Sequence, residues 1–205
     1  MKSQRGIETQ NRILEEAVQI ASLQGLESLT IGTLSKSLAL SKSGLFAHFG
    51  SKLELQKIVI KAAKKIFKEI VIDPVTDLPY GKNRLMRLCD GWLSYVEQNT
   101  FRGGCFFANA TIEFDGRPGE IRDMLQLTMS GWLKFLRREI VKAQRAGELS
   151  EKLEPEQAVF ELQSIVMGAN WHMQLFGDIN AIGRAKKSIE RLFNYEQEKG
   201  GKTNA

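Results

Sequence analysis

The chain has 205 residues, and 42% of them are apolar, which suffices for a hydrophobic core in one domain or in two small ones. Lys and Arg together number 29 against 24 Asp and Glu, so the net charge is +5 at neutral pH. Because no run of about 18 apolar residues occurs and the start, MKSQRGIETQ, lacks an apolar core, the sequence predicts no membrane span and no secretory signal, and we expect a cytoplasmic protein.

Apolar residues recur at helical spacing along nearly the whole chain, and no segment shows the alternation that is typical of a strand. The sequence therefore predicts an all-α protein of about nine helices. In chain order, the predicted helices cover residues 7–24, 31–38, 42–48, 51–72, 81–98, 105–114, 118–146, 155–176 and 179–198.

The second and third predicted helices are short and lie on either side of a tight turn, and a fourth begins almost at once. Thr30, Ser41 and Ser51 are candidate N-caps, because each hydroxyl can accept from a free backbone N–H of the turn that follows. Glu54 lies three residues after Ser51, which predicts a capping box, and Gly50 allows a sharp exit from the third helix. Two helices joined by such a turn form a helix-turn-helix, whose second helix can lie in the major groove of DNA.

The third predicted helix has the outward chemistry of a DNA-contacting helix. Leu45 is expected to face inward, with Phe49 just beyond the end of the helix, while small and basic side chains face outward. Small residues let a helix approach base edges, and hydroxyls, basic groups and helix N-termini suit phosphate oxygens. The candidate DNA-contacting residues are Thr30, Thr33, Ser41, Lys42, Ser43, Gly44, Phe46, Ala47, His48 and Lys52.

The distribution of charge agrees with this assignment. Residues 1–70 hold 11 basic and 6 acidic side chains, whereas residues 71–205 hold 18 of each. No Asp or Glu occurs over residues 28–53. The whole positive excess therefore lies in the part of the chain that is expected to meet DNA, where it would steer association.

A longer motif surrounds this segment. Its residues are Arg12-Ile13-Leu14, Ala17, Gly25 and Leu29-Thr30-Ile31, then Leu34-Ser35, then residues 40–52 and Leu55. The pattern, which covers roughly residues 7–60, resembles the DNA-binding domain of the tetracycline-repressor (TetR) family of one-component transcriptional regulators, and the chain length agrees. The family commonly has a tyrosine, whose hydroxyl contacts a phosphate, where Phe46 stands, and Ala47 replaces a position that is often aromatic or polar. One phosphate contact is therefore in question, and the operator preference is expected to differ.

The resemblance implies a DNA-binding domain over residues 1–53, a helical effector-binding and dimerisation domain over 54–200, and a disordered tail over 201–205. In this family the last two helices of each subunit usually form a four-helix bundle between subunits. Both helices carry more apolar residues here than one buried stripe needs, which favours a homodimer. Two recognition helices about 34–36 Å apart would then read a palindromic operator, and a small molecule would release the repressor.

Large apolar residues and a few polar ones on the predicted fifth to eighth helices are candidates for an effector pocket. These candidates are Trp92, Tyr95, Phe106, Asn109, Met124, Trp132, Trp171 and His172. Their chemistry favours a largely apolar or aromatic effector, and a buried imidazole at His172 would need a partner or a ligand. Cys105 follows Arg102 at a predicted helix start, so a sensor thiol is one hypothesis, and a small buried hydrophobe is the other.

Other functions stay open at this point. A transcriptional activator of the same fold would share every feature above, and a helical adaptor that binds protein through its basic end is a further alternative. An enzyme is not expected, because no catalytic, metal-binding or phosphate-cradling motif occurs and the spacing of Cys89 and Cys105 is not that of a metal or redox site. No catalytic residue, metal or cofactor is therefore predicted.

Overall fold

The computed structural model describes residues 4–194 of the chain, with side chains from Thr9 onward. The regular structure of these residues is entirely helical, as the sequence predicts. In the described chain the α-helices are α1 (Gln4–Gln24), α2 (Ile31–Leu38), α3 (Lys42–Phe49), α4 (Lys52–Phe67), α5 (Lys82–Glu97), α6 (Phe106–Phe114), α7 (Glu120–Arg145), α8 (Pro155–Phe176) and α9 (Ala181–Asn194). The end predicted for the last helix, residues 195–198, and the predicted tail lie outside the described residues.

Each predicted helix is found, and two boundaries differ for local reasons. The predicted fourth helix ends as a π-helical turn, Lys68–Ile72, which is followed by a 3-10 turn, Asp73–Val75. Pro74 has no N–H and its ring clashes with the preceding turn, so an α-helix cannot continue through it. Helix α7 begins two residues later than predicted, because Gly119 has a φ of 141°, far from helical values.

The described chain divides into two compact units. One contains the residues up to 68 together with Asn99–Met129, and the other contains Glu69–Gln98 together with the residues from 130 onward. The predicted functional boundary between residues 53 and 54 stays a prediction. By compactness alone, α4 belongs to the first unit, because its apolar face is buried there.

In the first unit, α1 packs against α2, α4 and α6, and α3 packs against α2 and α4. Apolar residues of all five helices form its core, among them Ile13, Ala17, Leu34, Leu45, Phe49, Leu55, Val59 and Phe106, each at most 4% exposed. The short helix α3 thus packs against α2 and α4 on one side, which leaves its other side exposed to solvent.

In the second unit, α5, α8 and α9 pack against one another, and α8 with α9 is the most extensive of these pairs. Its core includes Leu85, Leu88, Leu93, Leu136, Ile140, Leu162 and Ile189, each at most 1% exposed. No helix of the described residues combines the length and the apolar content that crossing a bilayer requires.

A buried ion pair joins α5 to α7 in the second unit. Arg84 Nε donates to Glu139 Oε2 at 2.7 Å, and the two side chains are 5% and 2% exposed. Arg84 Nη1 also donates to the carbonyl oxygens of Thr76 (2.7 Å) and Leu78 (2.9 Å), so the guanidinium organises the loop before α5. A pair of this kind is costly to break, because the remaining charge would be buried without a partner.

Candidate nucleic-acid interface

Helices α2 and α3 are joined by a turn of three residues that is tied to Ser35. Ala39 has the left-handed backbone (φ 52°, ψ 37°), and its N–H donates to the Ser35 carbonyl. The N–H of Leu40 donates to the same carbonyl at 3.1 Å, and Ser35 Oγ donates to the Leu40 carbonyl at 2.6 Å. These hydrogen bonds set the angle between the two helices, as expected for a helix-turn-helix.

The start of α2 is fixed by a capping box between Thr30 and Thr33. Thr30 Oγ1 accepts from the N–H of Thr33 at 3.0 Å, and Thr33 Oγ1 accepts from the N–H of Thr30 at 2.9 Å. The capping box predicted at Ser51 is only half formed. Ser51 Oγ accepts from the N–H of Glu54 at 3.1 Å, but the Glu54 carboxylate accepts from Lys57 Nζ at 2.9 Å instead.

The outward surface of α3 carries most of the predicted DNA contacts. Ser41 is the N-cap, and its Oγ accepts from the N–H of Gly44 at 3.1 Å. Leu45 and Phe49 are 1% and 4% exposed, which confirms their predicted inward direction. The predicted contact residues that are exposed on or beside this helix are Ser41, Lys42, Ser43, Gly44, Phe46, Ala47 and His48. This surface carries no acid.

Lys52, at the start of α4, is also at the surface, but its ammonium group is engaged. Lys52 Nζ donates to Glu27 Oε1, and the two side chains are 38% and 47% exposed. The hydrogen bond from Lys52 is the main cause that lowers the pKa of Glu27 below its ordinary value, so this carboxylate stays charged at neutral pH. Glu27 directly precedes the acid-free segment and was not recognised from the sequence as a neighbour of the candidate DNA contacts.

Glu113, on α6, holds the turn that leads into α2. Its Oε2 accepts from the N–H of Leu26 at 2.7 Å, and its Oε1 accepts from the N–H of Glu27 at 3.0 Å. Gly25, with a φ of 87°, makes this approach possible, because a Cβ at that position would lie 2.8 Å from Glu113 Oε1. Sequence analysis missed Glu113 because its partners are 86 and 87 residues away and no local pattern connects them.

The candidate effector residues of the first unit have mainly structural contacts. Phe106 is 1% exposed and packs against Phe101 with the two rings tilted by 59° and their centroids 5.9 Å apart. The Asn109 side-chain amide donates to the backbone carbonyls of Ser22 (3.2 Å) and Gly103 (2.8 Å). Met124 is half-buried on α7. Asn109 therefore joins α6 to the end of α1, and effector contact at these positions stays a prediction.

Three other candidates lie in the interior of the second unit. Trp92 and Trp132 meet edge to face with ring centroids 4.9 Å apart, and Trp132 stacks on Phe135 at 5.7 Å. Tyr95 is 2% exposed. The structure thus brings two of the predicted tryptophans into direct contact and buries the predicted tyrosine, which leaves this interior as the most aromatic part of the unit.

Trp171 and His172 are at the surface of α8, so the burial considered for the His172 imidazole is not found, and effector contact at both positions stays a prediction. Trp171 is 54% exposed, and the His172 side chain is 49% exposed with its Nδ1 3.7 Å from Asp178 Oδ2. Both rings pack against Phe176, with centroids 5.0 and 5.7 Å away. Helix α8 is apolar around much of its circumference, so its sequence pattern could not show which face is buried.

The same helix presents an apolar stripe outward. The exposed large apolar residues of α8 and the loop after it are Phe160, Trp171, Leu175, Phe176 and Ile179, which are 54% to 83% exposed. Gly168 lies between them, and a Cβ there would meet no atom within 4 Å. In contrast, the apolar residues predicted as the partner surface of α9, Ile182, Ala185, Ile189 and Phe193, are buried within their own subunit, and Leu192 is half-buried.

The described residues contain no group of three or more His, Cys, Asp or Glu side chains that could hold a metal ion. Both cysteines are buried as free thiols, and burial raises the pKa of Cys89 to about 12. Cys105 is the N-cap residue of α6 and is 6% exposed. The exposed side of α3 in the first unit carries small, hydroxyl and basic side chains. Side chains of these types suit contact with a DNA groove.

A helix-turn-helix with such a surface, followed by a larger helical unit, defines a DNA-binding regulator with a separate regulatory part. Comparison with known families agrees. The model of the bacterial regulatory proteins of the tetR family matches residues 13–57, and the model of the tetracyclin repressor-like C-terminal domain matches residues 81–189. The chain therefore belongs to the TetR family of DNA-binding transcriptional regulators, a family of regulators rather than of enzymes, and the prediction from its sequence motif is confirmed.

Individual relatives are distant in sequence and close in fold. This chain is 23% identical to the biofilm operon icaADBC HTH-type negative transcriptional regulator IcaR of Staphylococcus aureus. The match extends over 126 residues, which are 61% of this chain and 68% of IcaR. A TetR transcriptional regulator from Chloroflexus aurantiacus has a TM-score of 0.84 at 19% identity, covering 96% of this chain and 98% of that one. AibR, solved in complex with isovaleryl coenzyme A and operator DNA, has a TM-score of 0.72 at 20% identity, covering 89% and 97%. These structures support the fold.

Proposed function

We propose that the chain is a cytoplasmic repressor that binds a palindromic operator as a homodimer and is released by a small molecule. The observation that carries the proposal is the outward surface of α3, which is exposed and free of acid. The opposite side of α3 packs within the helix-turn-helix. Repression, rather than activation, is supported by the relative IcaR, which is a negative transcriptional regulator.

The residues of the interface divide into two roles. Ser43 and Ala47 lie one turn apart on the exposed side of α3, and we assign them to base edges, since Ser can donate or accept and Ala can contact a thymine methyl. Lys42, His48 and Lys52 are assigned to phosphate oxygens, which position the helix without reading sequence. Their loss should therefore weaken binding to all duplexes, whereas changes at the first two positions should alter the preferred sequence.

The remaining candidate residues are assigned three kinds of role. The hydroxyls of Thr30 and Thr33 already hold each other's backbone, so they act at DNA mainly by fixing the N-terminus of α2. Phe46 is 58% exposed and has no hydroxyl, so we assign it to apolar contact with the sugar edge or a thymine methyl. Gly44 and Ser41 allow close approach at the start of α3, where Ser41 caps the helix.

The proposed dimer uses the apolar stripe of α8. Trp171 and Leu175 are four residues apart on that stripe, and Phe160 lies on the same side of α8 about three turns earlier, with the open position of Gly168 between them. An exposed apolar surface of this kind is the usual mark of a protein interface, and a twofold axis would place it against its own copy. The exposed part of α9 is mostly charged, so in this proposal α9 contributes the rim of the interface rather than its centre.

The effector is proposed to bind in the regulatory part. The aromatic interior around Trp92, Tyr95 and Trp132 favours an apolar or aromatic molecule. AibR, a distant structural relative, was solved with isovaleryl coenzyme A, which has an apolar acyl end. An effector can release the operator only by binding the released state more tightly, and about 1–3 kcal/mol of coupling free energy is usual.

The DNA-binding part of the proposal is tested with Lys42→Ala and a matched control, Lys61→Ala, which removes an exposed lysine from α4 outside the predicted interface. Binding of a selected operator and of a scrambled duplex is measured by fluorescence anisotropy over a range of salt concentrations. We expect Lys42→Ala to weaken both complexes and to reduce the salt slope by about 1.8, as for two lost phosphate contacts, one from each subunit of the dimer. Equal effects of the two variants would contradict the assignment.

The base-reading part is tested by replacing Ala47 with Phe and repeating the selection of operator sequences from random duplexes. The larger side chain should change the preferred bases at one or two positions of each half-site, while binding to a scrambled duplex stays close to that of the wild type. An unchanged consensus would show that Ala47 does not face the bases. The regulatory part is tested by screening apolar acyl and aromatic compounds for release of the operator complex.

A further inference from the structure

We propose that Glu27 is a built-in competitor of the operator phosphate for Lys52, and that it limits the affinity of the chain for DNA. The inference rests on the proposed phosphate contact of Lys52. It adds an autoinhibitory residue to the interface, at a position where the exposed surface of α3 itself has no acid.

The competition follows from the position of the two groups. Lys52 is the first residue of α4, directly after the Ser51 cap, where its ammonium group is near the N-terminus of that helix. Lys52 Nζ donates to Glu27 Oε1, so the cation that should bind a phosphate already has an anionic partner. A DNA phosphate competes with the carboxylate for this ammonium group, because two anions that lie beside one cation repel each other.

Glu27 is held in place by two hydrogen bonds besides the one with Lys52. Its Oε2 accepts from Gln56 Nε2 at 3.3 Å, and its backbone N–H donates to Glu113 Oε1 at 3.0 Å. Gln56 is itself only 4% exposed, and its amide also donates to the Leu26 carbonyl at 2.9 Å. These hydrogen bonds restrain Glu27 beside Lys52, and the ion pair loses less conformational entropy on forming than a pair of two mobile side chains.

The electrostatic consequence has two parts. Once Lys52 turns to the phosphate, Glu27 stays charged nearby and repels the DNA backbone, since an ordinary glutamate carboxyl is ionised at neutral pH. The freed carboxylate also attracts a cation from solution, which offsets part of the counterion release that a phosphate contact normally provides. Removing the charge of Glu27 should thus raise DNA affinity and steepen its salt dependence together.

The test is a double-mutant cycle with Glu27→Gln, Lys52→Ala and the double variant. Glu27→Gln keeps an oxygen that can accept from Gln56, so the local fold should be retained, and thermal unfolding checks this. The matched control is Glu120→Gln, which removes one charge from the first unit and breaks a different pair, with Lys57 at 2.7 Å. Binding to the selected operator and to a scrambled duplex is measured by fluorescence anisotropy as a function of salt.

We expect Glu27→Gln to tighten both complexes about two- to fivefold, the range of a surface ion pair, and to steepen the salt slope. In the Lys52→Ala background the same substitution should change affinity by less than half as much, and Glu120→Gln should match that smaller change. Three results would overturn the inference: no gain from Glu27→Gln, a gain that is equal with and without Lys52, or an equal gain from Glu120→Gln.

Failure of the inference is distinguishable from failure of the proposed function. If the wild type binds a selected operator but Lys52→Ala binds it equally well, the phosphate contact and the competition are both wrong, whereas DNA binding by α3 stands. If the wild type prefers no duplex at all, the proposed function itself is contradicted, and the competition is overturned with it.

Discussion

The proposed dimer interface makes a quantitative prediction for Leu175→Glu. Leu175 lies near the end of the apolar stripe of α8 and is 61% exposed in the single chain. Full burial of a leucine side chain contributes about 1.5–3 kcal/mol, so covering the exposed part contributes about 1–2 kcal/mol. A twofold interface contains the residue twice, which makes the loss about 2–4 kcal/mol per dimer.

At about 1.4 kcal/mol per factor of ten, this loss weakens the dimer roughly 30- to 700-fold, and the two carboxylates introduced by Leu175→Glu increase the effect. Sedimentation equilibrium measures the dissociation constant of the dimer directly. Operator binding should become concentration dependent in the same range, since a single subunit contacts only one half-site. The fold of the isolated subunit should be unaffected, because the side chain is already largely in solvent.

The matched control is Leu127→Glu. Leu127 is 76% exposed on α7, so the substitution introduces the same charge at a leucine that is even more accessible. We expect this variant to stay dimeric and to bind the operator like the wild type. A dimeric Leu175→Glu variant, or equal dissociation of both variants, would refute the assignment of the interface to α8.

Three predictions concern stability and reactivity. Ala39→Gly should stabilise the chain to urea by about 0.5–1 kcal/mol, because Ala39 has left-handed backbone that favours glycine; a loss of stability would contradict the turn geometry. Glu139→Ala should destabilise it by about 3–5 kcal/mol by leaving Arg84 buried and unpaired, and an apolar replacement of both residues should recover most of this; a small effect of the single change would show the pair to be solvated. Because burial raises its pKa to about 12, Cys89 should not react with thiol reagents at pH 8 until the chain is unfolded, and rapid labelling of the native chain would contradict its burial.

The helices and the DNA-binding surface were accessible from sequence because their signals are local. The caps at Thr30 and Ser41, the apolar spacing of α2 and the inward side of α3 all depend on residues within about one or two turns. Even here the prediction at Ser51 was wrong in part. Its capping box formed only halfway, whereas a full capping box formed at Thr30, because Thr33 Oγ1 also accepts from the N–H of Thr30.

The contacts that tune the interface were not accessible, because they join distant parts of the chain. The pair of Lys52 with Glu27 spans 25 residues, and Glu113 reaches backbone N–H groups more than 80 residues away. Periodicity reports which side of one helix is apolar, but not which charged group a tertiary neighbour brings to it. In the proposed competition, the Glu27 contact limits how much of the charge of Lys52 is available to DNA.

The effector and dimer residues show a different limit. Helix α8 is apolar around much of its circumference, so its pattern could not separate the buried side from the exposed side that holds Trp171 and Leu175. Helix α9 has a single strong apolar stripe, and packing with α5 and α8 covers it within the subunit. The surplus of apolar residues on α8 therefore leaves an exposed apolar surface, whereas that of α9 is buried within the subunit, and the interface through these helices stays a prediction.

The central claim is that two copies of α3 read one operator. It is tested most directly by footprinting the purified chain on an operator selected from random duplexes, together with the mass of the complex. We expect two subunits per duplex and two protected half-sites whose centres are about 34–36 Å apart along the helix axis. One subunit with a single protected patch, or no preference among the random duplexes, would contradict the account.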